Sequence, residues 1–235
     1  SGKVVPSEGN DPSHTVAGDV ARRAVTPDAA CRLLRPRSIR YLSCAMSSDT
    51  PLLRLARPEE LALLVEIDDD AGQLYAEAGL RIELAPDHPF LVAEQERWRS
   101  ALAHGRVFVA VGDQDRGVGF AALGTLGSDD VGPYLEQLSV RRGAMGQGIG
   151  RSLLRRAIAS AEANDAERGN ARAGWLWLTT YGHLRWNRPF YESEGFVVVA
   201  EAEWPAMIAH HIEEQRACLP DPAQRIAMRR PLSSS

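Results

Sequence analysis

The sequence of 235 residues has few cysteines, few aromatic residues and no long apolar segment. Its three cysteines, Cys31, Cys44 and Cys218, are far apart, a spacing that suits neither a disulfide framework nor a zinc site. No apolar run approaches the roughly 18 residues that a membrane-spanning helix needs. The N-terminus also lacks the basic and then apolar layout of a secretory signal. These absences favour a cytoplasmic protein that makes no contact with a membrane.

A strong excess of either charge is also absent. The chain has 27 basic and 31 acidic residues, and its formal net charge is -4. Such a balance provides no general attraction to nucleic acid. The hydrophobic fraction of 44% and the charged fraction of 25% are typical of a globular protein with a sizeable core. Binding of a phosphate group would therefore depend on local geometry.

The composition changes near residue 50. Residues 1–50 combine Gly, Ser, Pro and Asp with an arginine-rich stretch between Arg22 and Arg40. We interpret this segment as a tail or an expression-derived extension, since Met46 would serve as a natural start. A helix over residues 29–42 that docks on the domain or on a partner is the less favoured alternative. Residues 51–235 are expected to form one folded domain.

Residues 51–235 have the pattern of an α/β domain. Leu52–Leu55 predicts a strand, and Pro58 then begins a helix. A second helical stretch ends at Gly79, so the acidic run Asp68–Asp70 is expected between two helices. The other predicted elements are a helix at 90–104, strands at 106–111, 118–126 and 134–140, a long helix after Gly150, strands at 175–180 and 196–200 with a short helix between them, and a last strand at 225–229.

Three alternating glycines, Gly146, Gly148 and Gly150, stand between a predicted strand and a strongly amphipathic helix. Glycine lets the backbone approach a ligand closely, and the helix start provides unpaired N–H groups and a positive dipole end. Such a loop is suited to bind phosphate. It is not a P-loop, because Ile149 and Gly150 stand where Lys and then Ser or Thr would be needed. Neither register of the dinucleotide fingerprint places a glycine at its last position.

The segment Met145–Gly150 resembles the acyl-CoA motif of the GNAT superfamily of N-acetyltransferases, (Gln/Arg)-x-x-Gly-x-(Gly/Ala). Met145 departs from the motif, since Gln or Arg is usual there. A second segment, Trp186–Phe196, is similar to the family's downstream Asn/Tyr region, and the order of elements also fits. The resemblance covers residues 52–232. It implies a mixed, mostly antiparallel sheet of about six or seven strands, flanked by helices and splayed apart where acyl-CoA inserts.

The resemblance implies acetyl-CoA as cosubstrate and no metal. It places the pyrophosphate on the glycine loop, the pantetheine arm at Asn187 and the oxyanion at a backbone N–H near Leu138 or Val140. The residues that it assigns to the cofactor are Leu138, Val140, Met145, Gly146, Gln147, Gly148, Ile149, Gly150, Arg151 and Asn187.

Acetyl transfer to an amine needs a general base and a general acid. By strand alternation, Glu136 would share a face with Tyr134, Leu138 and Val140, and a carboxylate among apolar neighbours has a raised pKa. A solvent-exposed carboxylate at the strand edge is the alternative. In the family the corresponding strand position is often the base. Tyr191 matches the family's general acid, with a packing tyrosine as the alternative.

The expected function is acetyl transfer from acetyl-CoA to a primary amine, preferably of a small molecule. The alternative is an acyl-CoA-binding regulatory module without catalysis, for which Met145 is the hint. Asp68–Asp70 could attract a cationic amine, and His183 could contact substrate. His210 and His211 are expected on a surface helix, where adjacent side chains do not face one metal. A homodimer is possible, as is common in the superfamily.

Overall fold

The computed structural model describes residues 51–126, 132–167 and 174–233, so the interpretation of residues 1–50 lies outside the described part of the chain. Within that part, seven strands form one sheet in the order β1-β2-β3-β4-β5-β7-β6. The strands are β1 (Leu52–Leu55), β2 (Val107–Val111), β3 (Gly117–Thr125), β4 (Pro133–Val140), β5 (Trp175–Tyr181), β6 (Val197–Val199) and β7 (Arg225–Pro231).

Five α-helices accompany this sheet in the described residues. They are α1 (Leu61–Glu77), α2 (Pro89–Ala103), α3 (Ile149–Glu167), α4 (Arg188–Ser193) and α5 (Ala206–Cys218). The start of α2 shows how the sequence sets a boundary. His88 accepts a hydrogen bond at Nδ1 from the Phe90 backbone N–H at 3.2 Å, and Pro89 occupies the first turn, where its missing N–H costs nothing. None of these helices is long and apolar enough to cross a membrane.

The sheet opens between β4 and β5. Neighbouring strands elsewhere in the sheet are antiparallel and pair over several residues. The β4–β5 pair is parallel, and its register consists of Tyr134 opposite Trp177. The backbone of β4 beyond Tyr134 therefore has no partner from β5. The predicted mixed, mostly antiparallel sheet and its splay are confirmed.

A β-bulge interrupts the alternation of β4. Leu123 of β3 pairs with Leu135, whereas the preceding Ala122 pairs with Gln137, so Glu136 is an extra residue on β4. Both Leu135 and Leu138 consequently pack on the α3 side of the sheet. The prediction that Glu136 shares a face with Leu138 was therefore wrong, and it was wrong for Val140 as well, because simple period-2 alternation does not survive an inserted residue.

Helices cover both faces of the sheet. On one face, α3 packs its apolar stripe against the central strands; the buried α3 side chains are Ile149, Leu153, Leu154, Ala157, Ile158 and Ala161. On the other face, α1 and α2 pack against β2 and β3, with Trp98 against Phe120 at a ring distance of 5.3 Å. Helix α5 packs on the same face near β5 and β7, through Ile208 and Ile212.

Helix α1 is longer than predicted. The two helical stretches expected on either side of Asp68–Asp70 form one continuous helix that ends before Gly79, whose φ of +86° suits glycine. Leu64, Ile67 and Ala71 are buried along it at helical spacing. The acidic run thus lies within α1 rather than in a loop, because burial of this stripe outweighs the weak helix preference of aspartate.

Leu153 at the centre of α3 tests the importance of this packing. Its side chain has no exposed surface, so Leu153→Ala would leave a cavity under the sheet. We expect the free energy of unfolding to fall by about 2–5 kcal/mol, measured by urea denaturation. Val92→Ala removes an apolar side chain that is 53% exposed and should change it by less than about 0.5 kcal/mol. Equal losses in the two variants would contradict this assignment of the core.

Candidate active site

Two adjoining cavities lie at the splay of the sheet. The loop-side cleft, of about 100 Å³, is bordered by the end of β4, Met145 and Tyr191. The inner cavity, of about 430 Å³, is lined by α1, α2, α5, the middle of β4, the end of β5 and the start of β7. The two cavities share a common wall, whose residues are Asp68, Gly72, Tyr75, Glu136, Gln137 and Thr179. A group bound in one cavity would therefore meet a group bound in the other along this common wall, which includes Glu136.

The glycine loop directly follows Met145, which lines the loop-side cleft. Gly146 and Gly148 have φ of +78° and +80°, a region that favours glycine, and no atom lies within 4 Å of where a Cβ would stand at either position. Helix α3 begins directly after them at Ile149. Residues 146–148 are exposed to solvent where this 19-residue helix begins. This arrangement is suited to bind an anionic oxygen.

The arginines around the loop have protein partners. Arg151 Nε lies 2.7 Å from Glu194 Oε1, which ties α3 to α4. Arg142 Nη1 lies 2.8 Å from Glu77 Oε1, and Arg141 Nε donates to the Gly117 carbonyl oxygen at 3.0 Å. The predicted contact of Arg151 with a cofactor stays a prediction, since this side chain already has a structural role.

Tyr191 lies on α4, and Asn187 directly precedes this helix. Tyr191 lines the cleft, and burial raises the pKa of its phenol, which therefore stays protonated at neutral pH. Asn187 is buried beside the phenol of Tyr75, and its Nδ2 has no partner of good hydrogen-bond geometry among the described residues. A buried donor without a partner is costly unless a ligand accepts from it. Both positions fit the roles that the resemblance assigns to them.

Glu136 is held inside the protein at the bulge. Its side chain is 2% exposed, and its Oε2 accepts from Arg97 Nε at 2.9 Å. Its Oε1 is buried without a partner among the described residues. Burial raises the pKa of Glu136, and the charge of Arg97 opposes that shift. The expectation that Glu136 is a carboxyl with a raised pKa is consistent with this geometry, and the alternative of an exposed carboxylate is wrong.

Gly124 of β3 makes room for this carboxyl. A Cβ at position 124 would lie 2.7 Å from Glu136 Cγ and 2.9 Å from Cδ, much closer than carbon atoms pack. The side chain of Glu136 therefore occupies the space that any other residue at position 124 would fill. The sequence contains this signal as a glycine within a strand, which often marks the close approach of another group.

Asp68 projects from α1 toward β4. Its Oδ1 accepts hydrogen bonds from Ser139 Oγ at 2.6 Å and from the side-chain amide of Gln137. Burial raises the pKa of Asp68, and these two hydrogen bonds oppose the shift. The bulge turns the side chains of Gln137 and Ser139 toward α1. It thereby determines which side chains of β4 donate hydrogen bonds to Asp68.

Glu94 of α2 also lines the inner cavity. Burial raises its pKa to about 8, helped by the charges of Asp68 and Glu136 and opposed by those of Arg97 and Arg225. The carboxyl is therefore largely protonated at neutral pH. Sequence reasoning missed it, because one glutamate on an amphipathic helix is no different from its exposed neighbours until the helix is packed.

The base of the inner cavity is formed by Arg225, at the start of β7, and by α5. Arg225 Nη2 donates to Gln215 Oε1 at 2.6 Å and to Thr179 Oγ1 at 3.2 Å. Its guanidinium lies 4.7 Å from the centre of the Tyr181 ring. His211 of α5 is beside them, and burial lowers its pKa to about 3, which leaves it neutral.

The expectation that His210 and His211 lie on a surface helix was wrong for His211. His211 is 4% exposed and lines the inner cavity, whereas His210 is largely exposed. Adjacent residues of a helix point about 100° apart, so one of the two faces the sheet while the other faces solvent. His183 lies 4.0 Å from Asp221, and its ring packs edge-on against Tyr181, so its contact with a substrate stays a prediction.

Comparisons with known proteins agree with the fold and the loop. Residues 103–198 match the model of the GNAT acetyltransferase domain. Among solved structures, the chain is similar to a GNAT-family acetyltransferase from Staphylococcus aureus Mu50, with 17% identity and a TM-score of 0.53 over 77% of this chain and 99% of that one. It is also similar to the PaiA N-acetyltransferase from Thermoplasma acidophilum in complex with coenzyme A, with 15% identity and a TM-score of 0.52 over 78% and 99% of the two chains.

A third similar structure is N-acetylglutamate synthase from Neisseria gonorrhoeae, complexed with coenzyme A and N-acetyl-glutamate. Its identity is 18% and its TM-score 0.51, over 77% of this chain but 35% of the synthase, so the chain spans about a third of that protein. Residues 103–198 thus match a GNAT acetyltransferase domain, and the similar structures share the fold of this chain.

The fit of Glu136 against Gly124 can be tested with a double-mutant cycle. Gly124→Ala should displace the carboxyl of Glu136 from Arg97 and lower the free energy of unfolding by about 1–3 kcal/mol. In a Glu136→Ala background the added methyl group meets no side chain, so the same change should cost much less. Urea denaturation of the four proteins measures the coupling. An equal cost in both backgrounds would show that the close approach does not exist.

The protonation of Glu94 predicts a pH-dependent stability. Since its pKa rises from 4.5 to about 8 on folding, the native state binds more protons than the unfolded state between these values. Stability should therefore fall as pH rises through this window. Glu94→Gln should remove that loss and be more stable than the parent by about 1–3 kcal/mol at pH 8, with little difference at pH 4.5. Glu96→Gln, on the exposed side of α2, should show no such pH-dependent gain.

Proposed function

We propose that the protein transfers an acetyl group from acetyl-CoA to the primary amine of a small molecule. The observation that supports this proposal most strongly is the junction of the two cavities at Glu136. Glu136 lines both the cleft that Met145 of the loop motif borders and the separate inner cavity. A donor and an acceptor that entered from opposite sides would meet beside a buried proton acceptor.

The acyl donor fits the loop-side cleft. The amides of residues 146–150 would hold the pyrophosphate, since residues 146–148 are exposed and directly precede a helix N-terminus. Leu138 and Val140 lie on the part of β4 that β5 does not pair, so their backbone groups would bind the pantetheine arm or the oxyanion. Asn187 Nδ2 would donate to the same arm. Two of the similar structures named above contain coenzyme A.

The catalytic roles follow from the positions of two side chains. Glu136 would accept the proton of the acceptor ammonium, directly or through water, and the free amine would then attack the carbonyl carbon of the thioester. A backbone N–H of β4 would stabilise the tetrahedral oxyanion. When the C–S bond breaks, the phenol of Tyr191 would give its proton to the sulfur. Burial keeps that phenol protonated until the thiolate forms.

The size of the inner cavity supports a small acceptor. Its volume of about 430 Å³ lies within the usual range of small-molecule sites, and helices from both ends of the domain enclose it. The alternative is an acyl-CoA-binding regulatory module without catalysis. Met145 supports that alternative, because it places a thioether where the family motif has a polar side chain, and it lines the cleft.

Turnover of two variants tests this function. Glu136→Gln removes the base, and Tyr191→Phe removes the proton that the thiolate would take. We expect each change to lower kcat by about 10²–10⁴-fold, as for other general acids and bases, while the Kd of acetyl-CoA changes less than about threefold. Release of the CoA thiol across a panel of amines measures kcat, and calorimetry measures the Kd.

Glu192→Gln is a matched control, since Glu192 is next to Tyr191 on α4 but pairs with Arg188 at the surface. It should have the activity of the parent. Full activity in both Glu136→Gln and Tyr191→Phe would remove the catalytic assignment. Binding of acetyl-CoA without turnover of any amine by the parent would favour the regulatory module.

A further inference from the structure

Arg225 is a buried cation without an anionic partner in the described part of the chain. Its side chain lines the inner cavity, and the residue is 8% exposed. Nε and Nη2 donate to Gln215 Oε1, and Nη2 also donates to Thr179 Oγ1; both acceptors are neutral. No hydrogen bond of Nη1 is found among the described residues. A buried guanidinium that is held only by neutral groups is costly, and such a site is suited to an anionic ligand.

The carboxyl groups around the cavity do not balance this charge. Glu136 is paired with Arg97, and Asp68 accepts hydrogen bonds from β4. Glu94 is close enough to act on Arg225 electrostatically, but burial keeps it largely protonated at neutral pH. Asp69 is exposed at the rim of the cavity. Arg225 is therefore a buried cation that has no ion-pair partner among the described residues of the cavity lining.

Arg225 is also close to the site of the reaction. Thr179, which accepts its hydrogen bond, lines both cavities together with Glu136. The hydroxyl of Tyr134 lies 2.6 Å from the same Thr179 Oγ1, and the charges of both Glu136 and Arg225 act on that phenol. One small molecule could therefore extend from Glu136 to Arg225.

Building on the proposed function, we propose that Arg225 binds a carboxylate of the acceptor, which is therefore a small amino carboxylate, such as an amino acid or a short peptide with a free C-terminus. The amine faces Glu136, and the carboxylate receives charge-assisted hydrogen bonds from the guanidinium. Simple monoamines and polyamines, which lack this anionic group, are poor acceptors. Arg225 is a specificity-determining residue rather than a proton carrier.

The first experiment uses the unchanged protein. At saturating acetyl-CoA, CoA thiol release is measured with amino acids, with their carboxamides and with the corresponding decarboxylated amines. We expect kcat/KM for the best amino acid to exceed that of its carboxamide by about 10- to 100-fold, the usual effect of a charged hydrogen bond. Equal or better turnover of the carboxamide or the amine would overturn the proposal. Because no residue is changed, folding of a variant does not affect this result.

Variants then assign the preference to Arg225. Arg225→Gln should lower kcat/KM for the amino acid by about the same factor and leave that of the carboxamide within about threefold, whereas Arg225→Lys should keep part of the preference because the charge remains. Arg229→Gln is the matched control. Arg229 lies on the same strand and packs 4.2 Å from the Trp175 ring, but it does not line the cavity. Loss of the preference in Arg229→Gln, or its full retention in Arg225→Gln, would contradict the assignment.

A binding measurement separates this inference from the proposed function. If no amine is turned over, the catalytic proposal fails, but the amino acids can still be titrated calorimetrically into the protein with CoA. Binding that needs the carboxylate and is lost in Arg225→Gln would support the anionic subsite without catalysis. Equal binding of an amino acid and its carboxamide would overturn it. Turnover that is confined to amines without a carboxylate would support the acetyltransferase and reject the subsite.

Discussion

The bulge at Glu136 is the constraint on which the candidate site depends. An extra residue on β4 reverses the alternation, so that Gln137 and Ser139 face α1 while Leu138 remains on the side of α3. Without it, Glu136 would still face the helices α1 and α2, but Leu138 would join it and polar groups would point into the α3 core. The absence of a side chain at Gly124 allows Glu136 to stay buried beside β3. One local irregularity thus provides a polar face toward the cavities and an apolar face toward the core.

The cost of burying charge determines the electrostatics of this site. The charges of Asp68 and Glu136 both raise the pKa of Glu94, because carboxyls that are buried together cannot all ionise cheaply. The cost of burial is offset differently for each carboxyl. Asp68 accepts hydrogen bonds from β4, Glu136 forms an ion pair with Arg97, and Glu94 keeps its proton at neutral pH. A cavity built in this way can accept or release a proton near neutral pH, which suits chemistry that begins with an ammonium ion.

Sequence patterns predicted the features that depend on residues close to one another along the chain. The glycine loop, the amphipathic α3 and the order of strands each depend on neighbouring residues, and the motifs correctly pointed to a GNAT fold. The bulge was missed because it depends on the register with β3. The continuity of α1 was missed because packing outweighed the helix preference of its aspartates. Glu94, His211 and Arg225 were not found as cavity residues, since each is buried only after distant elements pack together.

The residues that line the two cavities fall in different parts of the chain. Glu136, the loop at residues 146–150 and Tyr191 all lie within residues 103–198, the part that matches the family. Asp68, Glu94 and Arg225, which line the inner cavity, all lie outside it. Groups that bind a common donor must keep one geometry, whereas groups that select an acceptor can differ between proteins that share a fold. Under the proposed function, the helices and the strand on both sides of the matched region would select the acceptor, because they place Asp68, Glu94 and the charge of Arg225 in the inner cavity.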